Sequence, residues 1–315
     1  MKVLSLCDGM SCGHIALDRA GIKVDQYFAA EIKEIGIKVT KENYPDTVHI
    51  GDVNKIRYKD GILYTENGNF DVGHIDLVIF GSPCQTFSIA MKTDRRIGLE
   101  DKEKSGLFLE CHRILKEVNP TWFLMENVAS MKDEDRDVIT AMMGVKPLRI
   151  NSEIIGPALR DRYYWTNILN IAPIERRNIC LQDILTDGYT DREKGHCLVV
   201  VDCRPQTTPV KMFHRYYYKG FGNLIFKNRE QYEMCAKYYD THYRGMKAKD
   251  IPTDETDIFD GVRYLNQTEL ERCQTVPEGY TKCLTRNEAA DVLGDGWTID
   301  VIAHFFTNLK HYIER

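Results

Sequence analysis

The sequence predicts an α/β fold, a mostly parallel sheet with helices on both faces, carrying a second and smaller domain. Three observations point there. Short apolar runs alternate with helix-patterned stretches through the first third, polar or glycine-bearing turns follow those runs, and the alternation fades beyond about Pro173, where the composition changes.

The elements follow in order. "KVLSLC" reads as a first strand, "GHIALDRAG" as a helix, "QYFAAEI" as a strand, "IGIKVTKENYP" as a helix and "DLVIF" as a strand, which is βαβαβ order. In "GLFLECHRILKEVNP", Leu107, Cys111, Ile114, Leu115 and Val118 recur at helical spacing, and Pro120 stops the helix. "TWFLMENV" is another apolar strand, ending on a carboxylate. "ALRDRYYWTN" puts Arg160 and Arg162 on one face if extended, because alternate residues share a face.

After that the character shifts. Between Arg204 and Lys249, ten Lys/Arg stand against Glu230, Glu233 and Asp240, a local balance of +7 in a chain whose net charge is -5. Seven of the 17 tyrosines fall in the same stretch. "KAKDIPTDETDIFDG" reads as a polar linker leading out of it. "QTELERCQTVP" and "TRNEAADVL" read as helices opened by Thr268 and Thr285 or their polar neighbours, and "TIDVIAHFFTNLKHYI" as a long amphipathic helix. The expected division is a main domain of residues 1–172 and 262–315, with 173–261 as the smaller one.

Composition removes several classes. Of the 315 residues, 43% are hydrophobic and 28% charged, as in ordinary globular chains, and no apolar run approaches the roughly 18 residues of a membrane span. "MKVLSLCDGM" has one lysine and an apolar run cut by Asp8, which suits a strand better than a secretory signal. The ten cysteines include no C-x-x-C pair, so neither zinc nor a disulfide framework is expected, and reduced thiols in a cytoplasm fit better.

Ligands of parallel sheets bind beyond the carboxyl ends of the strands. Asp8, Gly9 and Gly13 follow the first strand, Glu31 the second, Gly51-Asp52 "VHI", Cys84 "LVIF", and Glu126-Asn127 "WFLM". In "CDGMSCG" the glycines allow a ligand close to the backbone, and Glu31, eighteen residues beyond Gly13, suits ribose hydroxyls. Since G-x-G-x-x-G is missing, a nucleoside without pyrophosphate, such as S-adenosylmethionine, fits better than a dinucleotide; the plainer alternative is a βα turn that needs glycine. Cys84 on the Pro83 turn is either a small core residue or an accessible, reactive thiol. Glu126, after four apolar residues, is either a partly desolvated acid able to hold a proton for donation or a helix cap. Arg160 and Arg162 suit an anion or a polarised carbonyl, or are surface charges.

Together these segments resemble the DNA cytosine-5 methyltransferase family. "SLCDGMSCG" is similar to its cofactor loop, "GSPCQTFS" to its nucleophile loop, "ENV" to its acid motif and "RDR" to its R-x-R motif. "VRYLNQTELERCQTVP" and "LGDGWTIDVIAHFF" resemble its two late elements. The resemblance covers about residues 1–172 and 262–306 and implies a Rossmann-like S-adenosylmethionine-dependent methyltransferase sheet, with a target-recognition region between. It implies Cys84 as nucleophile, Glu126 as the acid at cytosine N3, and Arg162 with Arg160 at O2. For the cofactor it implies Cys7, Asp8, Gly9 and Gly13 on the first loop, Glu31 and Ile32 at the ribose, and Asp52 and Val53 at the adenine. Pro83, Leu107, Asp295, Gly296 and Trp297 would complete that pocket. Ser88, Lys211, Arg215, Lys219 and Arg244 would meet double-stranded DNA; no metal and no membrane is implied. Two positions depart from the family: Cys7 stands where a phenylalanine is usual, and Ala158-Leu159 where Gln-Arg is usual. Methylation of cytosine in tRNA and a catalytically inactive DNA-binding relative are the competing expectations. A Rossmann oxidoreductase lacks its fingerprint.

Overall fold

The computed structural model describes residues 1–83, 107–199, 208–252 and 257–314. It contains two compact units: Met1–Asn151, Asp161–Ile174 and Ile299–Arg315 form the first, Ser152–Arg160 and Glu175–Thr298 the second. The chain first enters the second unit at Ser152–Arg160, inside the stretch expected to be main domain, and enters it again at Glu175. The chain returns to the first unit at Ile299 rather than 262, so both helices after residue 262 and before Ile299 belong to the second unit.

The first unit is a seven-stranded sheet. Its strands are β1 (Lys2–Leu6), β2 (Gln26–Ala30), β3 (Val48–His49), β7 (Leu77–Phe80), β8 (Trp122–Val128), β9 (Leu148–Asn151) and β10 (Asp161–Thr166), in the order β3-β2-β1-β7-β8-β10-β9. β3, β2, β1, β7 and β8 run parallel, whereas β10 is antiparallel to both β8 and β9. All four residues of β7 and the last four of β1 are buried, as expected of strands covered on both faces. The helices are α1 (Cys12–Arg19), α2 (Glu34–Asn43), α3 (Leu107–Val118), α4 (Asp133–Met143) and, from the far end of the chain, α9 (Ile299–Ile313). α9 packs on α1, and Arg19 pairs with Asp300. Among the described residues no helix is long and apolar enough to cross a membrane.

Between β3 and β7 the chain makes an antiparallel meander, β4 (Arg57–Lys59), β5 (Ile62–Thr65) and β6 (Gly68–Asp71), which the βα reading passed over. Its first turn is Asp60-Gly61, both with positive φ (51° and 82°), the geometry that Asp-Gly hairpin turns require.

The second unit holds α5 (Pro209–Phe213), a π-helical turn over His214–Tyr218, β11 (Leu224–Ile225), α6 (Arg229–His242), β12 (Arg263–Tyr264), α7 (Gln267–Cys273) and α8 (Arg286–Asp295). Asn266 and Thr285 open α7 and α8 with complete capping boxes, so the cap of α7 is the polar neighbour rather than Thr268. The expected linker is partly core: Ile251 and Phe259 are buried in one cluster with Phe213, Tyr216, Phe226 and Tyr239.

Candidate functional site

The strand order reverses between β1 and β7, which places the loops after Leu6 and Phe80 side by side in register. That is where an open α/β sheet offers a crevice. The two glycines of the first loop do different work. Gly9 has φ of +64° and nothing within 4 Å of where a Cβ would stand, so its backbone faces open space. Gly13 instead lies against β7, where a Cβ would come 2.0 Å from Ile79 Cδ1. It is a packing glycine that lets α1 approach the sheet. Asp8 turns inward as well. Its carboxylate is buried and accepts from Ser11 Oγ at 2.5 Å and Tyr27 Oη at 2.8 Å. Burial pushes its pKa above the ordinary carboxylate value against these hydrogen bonds. Asp8 therefore fixes the loop from behind and leaves the ligand side to the backbone.

Glu31 closes the loop from β2. Its Oε2 accepts from Gly9 N at 2.7 Å, and its Oε1 accepts from Ile32 N and Lys33 N, each at 2.8 Å. Those three bonds leave Oε2 with acceptor capacity, because a carboxylate takes about four. Ile32 beside it is 68% exposed, an apolar platform at the strand end. Gly36, unremarked in the sequence, is required at the start of α2, where a Cβ would come 2.3 Å from the Gly9 carbonyl oxygen. Asp52 accepts from Asn54 N and Asn54 Nδ2, each at 2.9 Å, and Val53 is buried. The tip of the meander supports this loop: Glu66 accepts from Asp52 N at 2.7 Å and from Lys55 Nζ at 2.5 Å.

Cys7 is half-buried with φ of 54° and packs against the core under the sheet ends. Its thiol meets that of Cys111, which this contact and burial together push well above the ordinary thiol range. Leu107 is half-buried against the same core. Asp295, Gly296 and Trp297 belong to the second unit, with Trp297 and Gly296 buried and Asp295 exposed.

After β7 come Gly81, Ser82 and Pro83; Cys84 and Ser88 lie outside the described residues. The approach to Cys84 is anchored by Asn127, a residue the sequence placed at a strand end without a role. Its Nδ2 donates to Ser82 Oγ at 3.1 Å and to Ser82 O at 3.3 Å, and both residues are buried. One step back along β8, Glu126 is buried and pairs with Arg162, Nε to Oε1, at 2.6 Å. The register explains the pair. Arg162 stands opposite Val128 and Tyr164 opposite Glu126, so Arg162 and Glu126 are diagonal neighbours on one face of the antiparallel ladder. Arg162 Nη1 also donates to the Asp161 carbonyl at 2.9 Å, which fixes the guanidinium.

Arg160 does not share that face. It precedes β10, belongs to the second unit, and donates to the carbonyls of Gly294 at 3.2 Å and Gly296 at 2.5 Å. A guanidinium there satisfies the last carbonyls of α8 and complements its dipole. The expected pair of arginines thus separates into one at the acid and one at a helix end.

In the second unit Lys211 and Arg215 are half-buried, whereas Lys219 and Arg244 are exposed, the latter 3.6 Å from Asp240. Most tyrosines of this segment are not a surface: Tyr216, Tyr239 and Tyr243 are buried in the cluster around Phe213.

Residues 1–144 match the family model for C-5 cytosine-specific DNA methylase. A type II methyltransferase of Neisseria gonorrhoeae, M.NgoBV, is 35% identical over 148 residues, which are 46% of this chain and 31% of that protein. M.NlaIV of Neisseria lactamica matches over the same fractions, so the chain spans about a third of these two relatives. M1.ScrFI of Lactococcus lactis is 26% identical over 93% of this chain and 74% of its own length. Among solved structures, Dnmt2 methyltransferase of S. pombe has a TM-score of 0.64 at 16% identity, each chain covered completely. A mutant DNMT2 of Spodoptera frugiperda has a TM-score of 0.63 at 18% identity, over 98% of this chain and 99% of that one, and both likenesses are of fold. The likeness to the C-5 cytosine-specific DNA methylases thus rests on residues 1–144, which hold the loop after β1, the strands β7 and β8, and Glu126.

Proposed function

We propose that the protein transfers a methyl group from S-adenosylmethionine to C5 of cytosine in double-stranded DNA. The observation that carries the reading is the buried Glu126–Arg162 pair, one residue from the Asn127 that holds the backbone just before Cys84. The cradle suits the cofactor: Gly9 faces open space, Ile32 offers an apolar platform, Glu31 retains acceptor capacity, and Asp52 is held in place at the neighbouring loop. When bound, S-adenosylmethionine supplies an electrophilic methyl group.

The remaining chemistry falls to the chain. Cytosine C5 is a poor nucleophile, so the Cys84 thiolate adds to C6 and makes C5 enamine-like. Glu126 protonates or hydrogen-bonds N3 and Arg162 stabilises the charge developing at O2. After methylation, loss of the C5 proton and expulsion of Cys84 restore the aromatic ring. A base in a duplex must leave the stack for this, at about a few kcal/mol. The segment from Arg204 to Lys249, with its +7 balance, supplies phosphate contacts, Lys219 and Arg244 being its exposed cations among the four expected in the described part.

Bisulfite sequencing of plasmid DNA from cells expressing the protein tests the reading. Protected cytosines in a fixed context, absent with Cys84→Ala, support it. Protection confined to the cells' tRNA would overturn it.

A further inference from the structure

The aromatic residues of the second unit divide sharply. Phe213, Tyr216, Phe226 and Tyr239 are buried, yet Tyr218 is 50% and Phe221 44% exposed. Both stand on one short turn, and that turn is built rather than loose. His214–Tyr218 is wound as a π-helix, a form that is rare and concentrates at functional sites. The chain then folds back, with Gly220 N donating to Tyr216 O and Phe221 N to Arg215 O, each at 3.1 Å. Gly220 and Gly222 take φ of 75° and 76°, which only glycine adopts readily. From below, Arg192 donates to Gly222 O at 2.7 Å and to Tyr216 O at 3.3 Å.

Each exposed ring carries a cation. The Arg215 guanidinium lies 5.5 Å from the Phe221 centroid and Lys219 Nζ lies 5.0 Å from that of Tyr218. Flat apolar rings with positive charge at their margins suit a ligand that is itself flat and bordered by negative charge. Stacked bases and their phosphates have that chemistry. An acidic peptide would use the cations but leave the rings unused.

We infer that the Tyr218–Gly222 turn is a nucleic-acid wedge, in which Tyr218 and Phe221 stack on bases of the duplex while Arg215 and Lys219 take the adjacent phosphates. The inference rests on the methyltransferase reading and deepens it, naming the element that touches bases.

The test is binding of a mixed-sequence DNA duplex by fluorescence anisotropy at stepped salt concentrations, alongside plasmid methylation. Tyr218→Ala and Phe221→Ala should each weaken binding roughly fivefold or more, with an unchanged salt slope, because stacking releases no counterions. Lys219→Ala should reduce the slope by about one. Phe221→Trp should bind as wild type while Phe221→Leu should not, since the ring's flatness is what matters; unchanged melting curves and S-adenosylmethionine binding show that the variants fold. Equal binding by wild type and the Tyr218→Ala/Phe221→Ala double variant overturns the wedge while leaving the methyltransferase reading intact. Ring dependence seen only with RNA overturns the duplex assignment. A wild-type protein that methylates no DNA overturns the underlying reading.

Discussion

Arg162 reaches Glu126 diagonally across two antiparallel strands, Nε to Oε1, at 2.6 Å, with 11% and 10% of the two side chains exposed. Removing one member leaves the other desolvated and uncompensated. Arg162→Ala should therefore destabilise the fold by about 3–5 kcal/mol, readable as a fall in the denaturant midpoint. Glu126→Gln keeps the shape; S-adenosylmethionine binding should persist by calorimetry while turnover falls roughly 10²-fold or more, as for a lost general acid. Collapse of cofactor binding would show that Glu126 serves the cofactor instead.

Asn127 should matter to rate without touching the cofactor. Asn127→Ala frees Ser82, and misplacing the following residue by about an ångström costs on the order of 10²-fold in rate. DNA carrying 5-fluorocytosine, which traps a thiolate adduct, should then form complexes stable to denaturing electrophoresis more slowly than wild type. Cys84→Ser should form none, and equal trapping by that variant would remove Cys84 as the nucleophile.

Gly13→Ala should strain the packing of α1 on β7, where the added carbon meets Ile79 Cδ1 at 2.0 Å. A cost of about 1–3 kcal/mol is expected for such overpacking. Pairing it with Ile79→Ala should recover part of the loss in a thermal melt. Additive losses would mean that Gly13 and Ile79 are not coupled and that the contact does not set the cost.

Cys7→Phe tests the departure from the family. Because the Cys7 thiol already abuts buried Cys111, a phenyl ring pointing the same way overfills the space, again at about 1–3 kcal/mol. Calorimetry should show weaker S-adenosylmethionine binding by the variant. Tighter binding would mean that the ring turns to the ligand and stacks there.

The second unit should lose stability in acid through Glu269. Its side chain is buried, which raises its pKa, but hydrogen bonds from Arg263, Thr186 and Asn266 outweigh that and hold it below the ordinary 4.5. A folded-state pKa below the unfolded one gives stability that is complete above about pH 4.5 and is lost as pH falls through the folded value. Melting curves at pH 7 and pH 4 should diverge less for Glu269→Gln than for wild type.

The parallel strands and their helices were legible because burial on both faces writes itself as continuous apolar runs, as in "LVIF" and "WFLM". Glu126 stood out because it ends an apolar run, and the structure pairs it with Arg162. Other roles turned on distances that a one-dimensional pattern does not carry. Gly9 and Gly13 look alike in sequence, yet one faces open space and the other a leucine-sized neighbour, Ile79. Arg160 and Arg162 are two residues apart, but the unit boundary falls between them. The meander was announced by Asp60-Gly61 and missed because the βα rhythm around it dominated. Of the seven tyrosines between Arg204 and Lys249, Tyr216, Tyr239 and Tyr243 are buried around Phe213 and Tyr217, Tyr232 and Tyr238 pack against that cluster, a division that composition does not carry.

α9 sets the order in which the molecule can be completed. It packs on α1, the helix that follows the cofactor loop, although nearly the whole second unit separates the two in sequence. During synthesis the early strands and α1 leave the ribosome with that apolar face uncovered, and they wait for Ile299–Ile313 to emerge. A nascent chain stalled in the second unit would hold Cys84, Glu126 and Arg162 yet lack the helix that packs on α1. The covering of α1 thus works as a clock, tying completion of the first unit to a helix translated after the second.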